Sequence, residues 1–367
     1  MDLWSFDKNL EQIHVTDVFI QLLWHENFIG GGDFELCVPA YGTILSNYPI
    51  GGYVGFWDDV RGHTEYMMIE SVKVETDVET GDYVVVTGRS LEYLLDRRVV
   101  WGLEDFTGQG LLYSVEKLVL DSIVSPHNAS RRIPEFRLNR NLYSPTYDNW
   151  PSEAVYHQYT GDSVYKAVNE MCTDTGTGWF VKRMGAGYFD MYVRKPVDRS
   201  YRQSSNVYVT FSEDYGNLQS SEFTDDIKPY MNAVLLGGRG EGTARFYATQ
   251  WETSVEPKGL NRREMFYNAS DVKDKDGETQ LTDEQYRQRL WKRGTEVLIR
   301  NKREYTFSSK LLPDNDFRFN VHYFLGDYVN VENRYGVSSI CQVTGLTRSF
   351  TPDEQVVYPT FAHIQEA

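Results

Sequence analysis

Apolar and polar residues alternate toward both ends of the chain and recur at three- and four-residue spacing in two stretches between, which predicts strands outside and helices inside. Residues 18–23 and Phe34-Glu-Leu-Cys-Val38 read as strands around Gly30-Gly31-Gly32-Asp33, whose glycines supply the φ > 0 positions of a tight reversal. A second reversal, Glu79-Thr-Gly81-Asp82, precedes the strand Tyr83-Val-Val-Val-Thr87. Ser90 is then placed to cap a short helix with Leu91, Leu94 and Leu95 on one face, ended by Asp96-Arg97-Arg98.

The texture changes after residue 100. Leu111, Leu112, Val115, Leu118, Val119 and Ile123 fall on one face of an amphipathic helix. Residues 125–160 are loop-rich, with four prolines and a basic excess at Arg131, Arg132, Arg137 and Arg140. Asp162 or Ser163 caps a second helix that buries Val164, Ala167, Val168 and Met171, and Gly176-Thr-Gly178 stops it. Residues 179–183 and 188–193 around Gly185-Ala-Gly187 read as a hairpin, so a small α+β unit is predicted here. Strand character returns at 205–212 and 232–236. Gly237-Gly238-Arg-Gly240-Glu-Gly242 has neither the GxxxxGK[ST] spacing nor a following helix N-terminus to face an anion. It reads as a turn between 233–236 and 244–249. Residues 251–303 look inserted: an acidic loop at 271–278 leads to the capping box Thr282-Asp-Glu-Gln285. The helix it opens carries Arg287, Arg289, Lys292, Arg293 and Arg300, either a partner-binding face or a solvated one complementing the first-turn acids.

One pattern occurs twice. Gly51-Gly52-Tyr53-Val54 near the start aligns with Gly326-Asp327-Tyr328-Val329 near the end. Strand-like runs then follow at similar distances, 68–74 against 342–348 and 83–87 against 355–361, and an alternating strand precedes each copy, 34–38 against 305–309. Self-similarity of this kind predicts two related β modules with other material between them.

At 367 residues the chain exceeds the size of a single core, so more than one domain is expected. The aromatic share of 14%, with 26 Tyr, favours strands. A net charge of −16 argues against a sequence-independent grip on nucleic acid, which needs basic surface, yet suits a wall that a polyanion passes without sticking. Cys37, Cys172 and Cys341 form neither a CxxC pair nor a disulfide framework, which predicts a reducing assembly compartment. No signal peptide or membrane span is expected from the N-terminus or from any apolar run. The seven histidines show no HExxH, GxSxG is absent, and residues 271–278 miss the EF-hand register. No catalytic, cofactor-binding or metal-ligating residue is assigned, and no cofactor is expected.

Three segments carry a family resemblance: Trp24-His-Glu-Asn-Phe-Ile-Gly-Gly-Gly-Asp-Phe-Glu-Leu36, Gly88-Arg-Ser-Leu-Glu-Tyr-Leu-Leu-Asp-Arg-Arg98 and Phe324-Leu-Gly-Asp-Tyr-Val-Asn-Val331. In order along the chain they resemble the tail-hub (baseplate hub or tail-associated) proteins of long-tailed bacteriophages. The resemblance implies a mainly β fold with α+β insertions. Two related antiparallel β-barrel tube modules would occupy 1–100 and 204–250 with 304–367, an inserted α+β domain 101–203, and an inserted loop-helix domain 251–303. It implies a structural virion protein, not an enzyme, at the tail tip or baseplate and assembled in the host cytoplasm. Three chains would make a ring of six barrels matching the sixfold tail tube, with an acidic channel for tape-measure protein and DNA. Implied partners are a distal tail protein or tube hexamer, the tape-measure protein, and a receptor-binding or fibre protein, for which the 283–302 helix and the Arg131–Arg140 loop would suit an outer face. Many relatives continue into a lysin or fibre-binding region; this sequence ends at Ala367, so cell-wall cleavage is expected of another protein. The alternatives are a carbohydrate-active enzyme or glycan-binding protein with aromatic platforms, and a hub of a contractile injection system.

Overall fold

The alternating segments become strands because one side of each faces a core while the other faces solvent or an inserted domain. A computed structural model of the protein describes residues 1–76, 81–138, 153–184, 187–311, 316–336 and 338–363. Among these, thirteen strands form one sheet. They are β1 (Leu3–Phe6), β2 (Gln12–Thr16), β3 (Gln21–Asn27), β4 (Asp33–Pro39), β5 (Tyr53–Asp58), β6 (His63–Glu75) and β7 (Tyr83–Ser90). After a long interval come β8 (Thr210–Ser212), β9 (Leu218–Asp226), β10 (Glu304–Leu311), β11 (Tyr328–Glu332), β12 (Ser338–Phe350) and β13 (Gln355–His363).

The path through the sheet is β9-β10-β13-β12-β3-β4-β7-β6-β5-β1-β2, with β11 beside β12 and β8 beside β11. Taken from their first neighbours, the early strands run β3-β4-β7-β6-β5-β1 and the late strands β9-β10-β13-β12-β11-β8, the same order. The segments aligned by Gly-x-Tyr-Val lie on β5 and β11. The agreement reaches backbone detail. Gly51 and Gly326 both have positive φ, 82° and 90°. Gly51 N–H donates to Ile69 C=O and Gly326 N–H to Val343 C=O, at 2.9 and 2.7 Å. Both β6 and β12 are 13 residues long and carry a bulge, between Ile69 and Ser71 and between Val343 and Gly345. One difference is that β1 runs antiparallel to β5 while β8 runs parallel to β11.

The sheet is open. The expected closed barrels are not found among the described residues: β9 ends the path on one side and β2 on the other. The two strand sets are joined where β3 pairs antiparallel with residues 345–350 of β12.

Helix α1 (Leu111–Val119) continues as a wider π turn, and α2 (Val164–Asp174) is capped by the Ser163 side chain. Both pack with the expected hairpin, Gly178–Met184 and Tyr188–Arg194, into a core that also takes in Phe6, Tyr53 and Met68 from the sheet. Ser90 does not cap the helix that follows it. That segment is a 3-10 helix (Leu91–Arg97), and Ser90 Oγ instead accepts from Gly32 N–H at 2.8 Å.

The expected 204–250 part of the second module divides. Ala233–Gly237 and Tyr247–Trp251 do form a hairpin around the glycine-rich turn, but Ala233–Gly237 also pairs in parallel with Glu264–Asn268. This separate three-stranded sheet is covered by α3 (Asp283–Arg300), with Val234, Leu236, Tyr286, Leu290 and Val297 sharing one core. Only residues 210–212 of the expected 205–212 strand enter the main sheet. The capping box of α3 is present in both directions, between Thr282 and Gln285.

Candidate assembly site

The β3–β12 junction encloses a cluster of charges. On β3 the inward positions are Leu22, Trp24 and Glu26; on β12 they are Leu346, Arg348 and Phe350. Arg348 Nη2 donates to Glu26, and its Nη1 donates to Asp58 Oδ2 at 2.7 Å. Arg61, from the turn between β5 and β6, bridges Glu26 at 2.7 Å and Glu65 at 2.5 Å. Lys182, from the inserted hairpin, reaches Glu65 at 2.7 Å. Three carboxylates thus face three cations where both strand sets and the inserted domain meet, all of them largely buried.

Burial alone would raise the Glu26 carboxyl, but Arg61, Arg348 and Lys182 outweigh it and hold it at about 2. Glu65 is likewise held well below the ordinary carboxylate range by Arg61 and Lys182 against the cost of burial. The neighbouring Glu92 goes the other way: burial pushes its carboxyl up, although its Oε1 accepts from Val181 N–H at 2.9 Å. The network fixes geometry, because a buried charge that loses its partner costs several kcal/mol, on the order of 3–5.

The late turn is tied to the inserted domain in the same manner. Asp327 is fully buried and accepts from Arg194 at 2.7 Å and Arg199 at 2.6 Å, and burial raises its carboxyl despite both guanidiniums. At the corresponding place in the early turn stands Gly52.

A third cluster joins the inserted domain to α3. His157 Nε2 lies 2.6 Å from Asp174 Oδ2 and 3.8 Å from Glu296 Oε2. These three offer donor atoms within reach of one cation. Arg300, however, occupies both Asp174 oxygens, at 2.7 and 2.6 Å, and Arg293 lies 3.2 Å from Glu296. Two guanidiniums already supply the positive charge, so the arrangement is an ion network between domains.

That network corrects the expectation for the basic helix. Arg293 and Arg300 point into the chain, Arg287 pairs with Glu284, and Lys292 donates to Tyr156 Oη at 2.7 Å. Lys292, Arg293 and Arg300 thus tie α3 to the rest of the chain, while Arg287 stays on the helix surface beside a first-turn acid, as a solvated face would have it. In the Arg131 loop, Arg131 lies 4.3 Å over the Trp101 ring and Arg137 is paired with Asp190, while Arg140 falls outside the described residues.

Between β1, β5 and the late strands lies a cavity of about 580 Å3, walled by Trp4, Trp57, Phe317, Phe319, Asp58 and Arg348. The free thiols of Cys172 and Cys341 are buried, and burial raises both; Cys172 stands beside Asp174. The cluster residues had escaped sequence reading. Their signal is a charged residue at an inward position of an alternating strand, Glu26 after Leu22 and Trp24, answered by Arg348 between Leu346 and Phe350.

The chain is defined by its fold as a mainly β protein, one large open sheet with a repeated strand order and helical units inserted between its strands. The protein belongs to the Siphovirus ReqiPepy6 Gp37-like family, whose model matches residues 1–361. Its fold is similar to the prophage MuSo2 43 kDa tail protein from Shewanella oneidensis, with a TM-score of 0.61 and 9% identity over 99% of this chain and 98% of that one. It is similar to a tail protein from Neisseria meningitidis MC58, with a TM-score of 0.58 and 13% identity over 98% and 96%. Prophage tail protein gp18 from Listeria monocytogenes EGD-e gives 0.54 and 12% over 100% and 96%. No curated protein sequence matches the chain. No helix among the described residues is long and apolar enough to cross a membrane.

Proposed function

We propose that this tail protein is the hub: a homotrimer that closes the distal end of the tail tube. The observation that carries the reading is the strand order repeated within one chain, with its matching turns and bulges. Two like modules per chain let three chains present six like units to a sixfold tube, whereas a chain with one module would need six copies. The modules are the strand sets β1–β7 and β8–β13, and the domains carrying α1, α2 and α3 sit on their outer side. Three copies triple a charge of −16, and carboxylates facing the bore repel DNA phosphates over a screening length of about 8–10 Å. The distal tail protein or tube hexamer, the tape-measure protein and a fibre or receptor-binding protein are the partners this position requires. Trp101 and the Arg131 loop suit the last of them.

Antibody labelling of purified particles tests the position. Gold at one tail end, once per particle, is expected. Label along the tube or on the head sinks the hub reading.

The aromatic cavity favours one second reading, a glycan-binding role. Trp4 and Trp57 offer stacking faces beside Asp58. Retention of the chain on host cell-wall fragments, lost in Trp57→Ala, is its expected signature.

A further inference from the structure

Elsewhere in the chain guanidiniums meet carboxylates, as at Arg61, Arg194 and Arg300. Around Trp101 they do not. Arg98 Nε donates to Arg131 C=O at 2.7 Å and its Nη1 to Arg97 C=O at 2.9 Å. Arg131 Nη2 donates to Val99 C=O, and its guanidinium covers one face of the Trp101 ring. The exposed Arg132 side chain has no hydrogen-bond or ion-pair partner among the described residues. The acceptors of Arg98 and Arg131 are neutral carbonyls, so no carboxylate is paired with any of the three. Burial and the nearby Arg98 charge lower the Arg131 guanidinium from its ordinary value. Like charges are gathered here without an answer.

Main-chain bonds hold the patch in place. Val100 N–H donates to Asp162 C=O at 2.9 Å and Val164 N–H to Arg98 C=O at 3.0 Å, which fastens residues 98–100 to the start of α2. In the neighbouring loop the Asn128 side chain accepts from Ser130 N–H at 3.0 Å, and Ile133 N–H donates to Ile123 C=O at 3.0 Å. The cations are therefore set before any ligand arrives, which lowers the entropy cost of binding. Apolar surface lies beside them. Trp101 is 59% exposed although Arg131 covers one of its faces, and Val99 and Leu103 are exposed as well.

We propose that Arg98, Arg131 and Arg132, with Trp101, dock an acidic segment of a partner protein in which carboxylates flank an apolar side chain. The guanidinium N–H groups that have no protein acceptor take the carboxylates, and the open part of the indole takes the apolar side chain. Charge complementarity favours a protein segment over nucleic acid. A chain of −16 repels a long polyanion at a distance, and three cations neutralise few phosphates. A short acidic segment needs no more than these. The inference deepens the hub reading, on which the identity of the partner as the fibre or receptor-binding protein rests.

Fluorescence anisotropy of a labelled Gly-Glu-Asp-Phe-Asp-Glu-Gly peptide, titrated with the full chain, tests the chemistry. Binding that weakens with added salt is expected. Arg131→Gln with Arg132→Gln is expected to weaken it about tenfold, the loss of two surface ion pairs. Arg132→Glu changes a side chain that bonds nothing in the chain, so an unchanged thermal midpoint is expected of it, together with weaker binding that Arg132→Lys largely restores. No binding by the wild type, or equal binding of a peptide with Gln and Asn in place of its acids, overturns the acidic segment. Equal affinity in Arg132→Glu overturns this patch. Self-association of the wild type that Arg132→Glu abolishes in sedimentation gives the patch to a second copy and overturns the partner. Each of these leaves the hub reading standing, whereas gold label away from the tail end overturns the hub and leaves the peptide site. Particles carrying Arg131→Glu with Arg132→Glu are expected to keep the hub and lose the fibre; retention of the fibre overturns the partner named here.

Discussion

Strands β6 and β12 have the same length, the same bulge and the same neighbours up to that bulge, yet beyond it one is exposed and the other buried. After the bulge β6 reads Ser71-Val-Lys-Val-Glu75 and β12 reads Gly345-Leu-Thr-Arg-Ser-Phe350. The first carries Lys73 and Glu75, charges of the kind that blunt an exposed edge strand. The second places Leu346, Arg348 and Phe350 toward a covered face, and its charge is answered by Glu26 and Asp58. The backbone plan is shared; what differs is whether a strand of the same chain covers the edge beyond the bulge. The side chains record that difference.

The largest effect expected from this comparison is at Arg348. Arg348→Ala leaves Glu26 and Asp58 short of a counter-charge in a buried site and is expected to cost about 3–5 kcal/mol in urea unfolding. Val74→Ala, at the corresponding position of β6, is expected to stay within about 0.5 kcal/mol in the monomer because the site is open. Equal costs at the two positions would break the comparison. Replacing Glu26 and Arg348 together, by Leu and Met, is expected to cost less than the sum of the single changes, since neither charge is then left alone.

Acid sharpens the same contrast. A carboxyl whose folded pKa is depressed contributes stability that is present above its unfolded pKa and lost as pH falls through the folded value. For Glu26 this window runs from the ordinary 4.5 down to about 2, and the full contribution is on the order of 3 kcal/mol. Glu65 acts with the same sign. Glu92 opposes them: its raised carboxyl favours the folded state most at low pH and loses that contribution as pH rises through the folded value. Unfolding free energy measured between pH 5 and pH 2.5 is expected to fall steeply in the wild type and less in Glu26→Gln. Parallel curves would show that the junction does not carry the acid sensitivity.

Local signals in the sequence located most of the elements that the chain closes on itself, although Ser90, expected as a cap, bonds Gly32 instead. Gly30-Gly31-Gly32 marks the β3–β4 hairpin, Ser163 caps α2, and Thr282 with Gln285 opens α3. The Gly-x-Tyr-Val repeat points to β5 and β11 because both turns need a glycine at positive φ just before the strand. Signals failed where the partner is distant. Residues 233–237 look like any strand, and only their parallel pairing with 264–268 and the cover of α3 separate them from the main sheet. Arg293 and Arg300 have the spacing of a solvated face, but their acceptors Asp271 and Asp174 come from outside the helix. The β4 and β10 alignment is two residues out of step: Phe34 corresponds to Phe307 and not to Tyr305. An alternating pattern has no landmark along its length, whereas a bulge or a turn provides one.

The smallest difference expected between corresponding positions, and the cleanest within one backbone plan, is at the paired glycines. Gly51 and Gly326 occupy the same position of the same turn, so alanine incurs the left-handed backbone cost at both, about 1–2 kcal/mol. At Gly51 a Cβ meets nothing within 4 Å, and that cost is expected to be the whole effect. At Gly326 a Cβ would lie 2.1 Å from Phe28 Cε2, on a ring that is 1% exposed and also packs against Gly178 of the inserted domain. The ring has no free space to enter, so Gly326→Ala adds an overpacking cost, about 2 kcal/mol more than Gly51→Ala. Phe28→Leu withdraws the ring edge, and in that background the two alanine substitutions are expected to cost the same. Thermal or urea unfolding of the four variants settles it. If the difference survives Phe28→Leu, the two turns differ in something other than the phenylalanine wedge. If Gly51→Ala costs nothing, positive φ is not what the repeated glycine supplies.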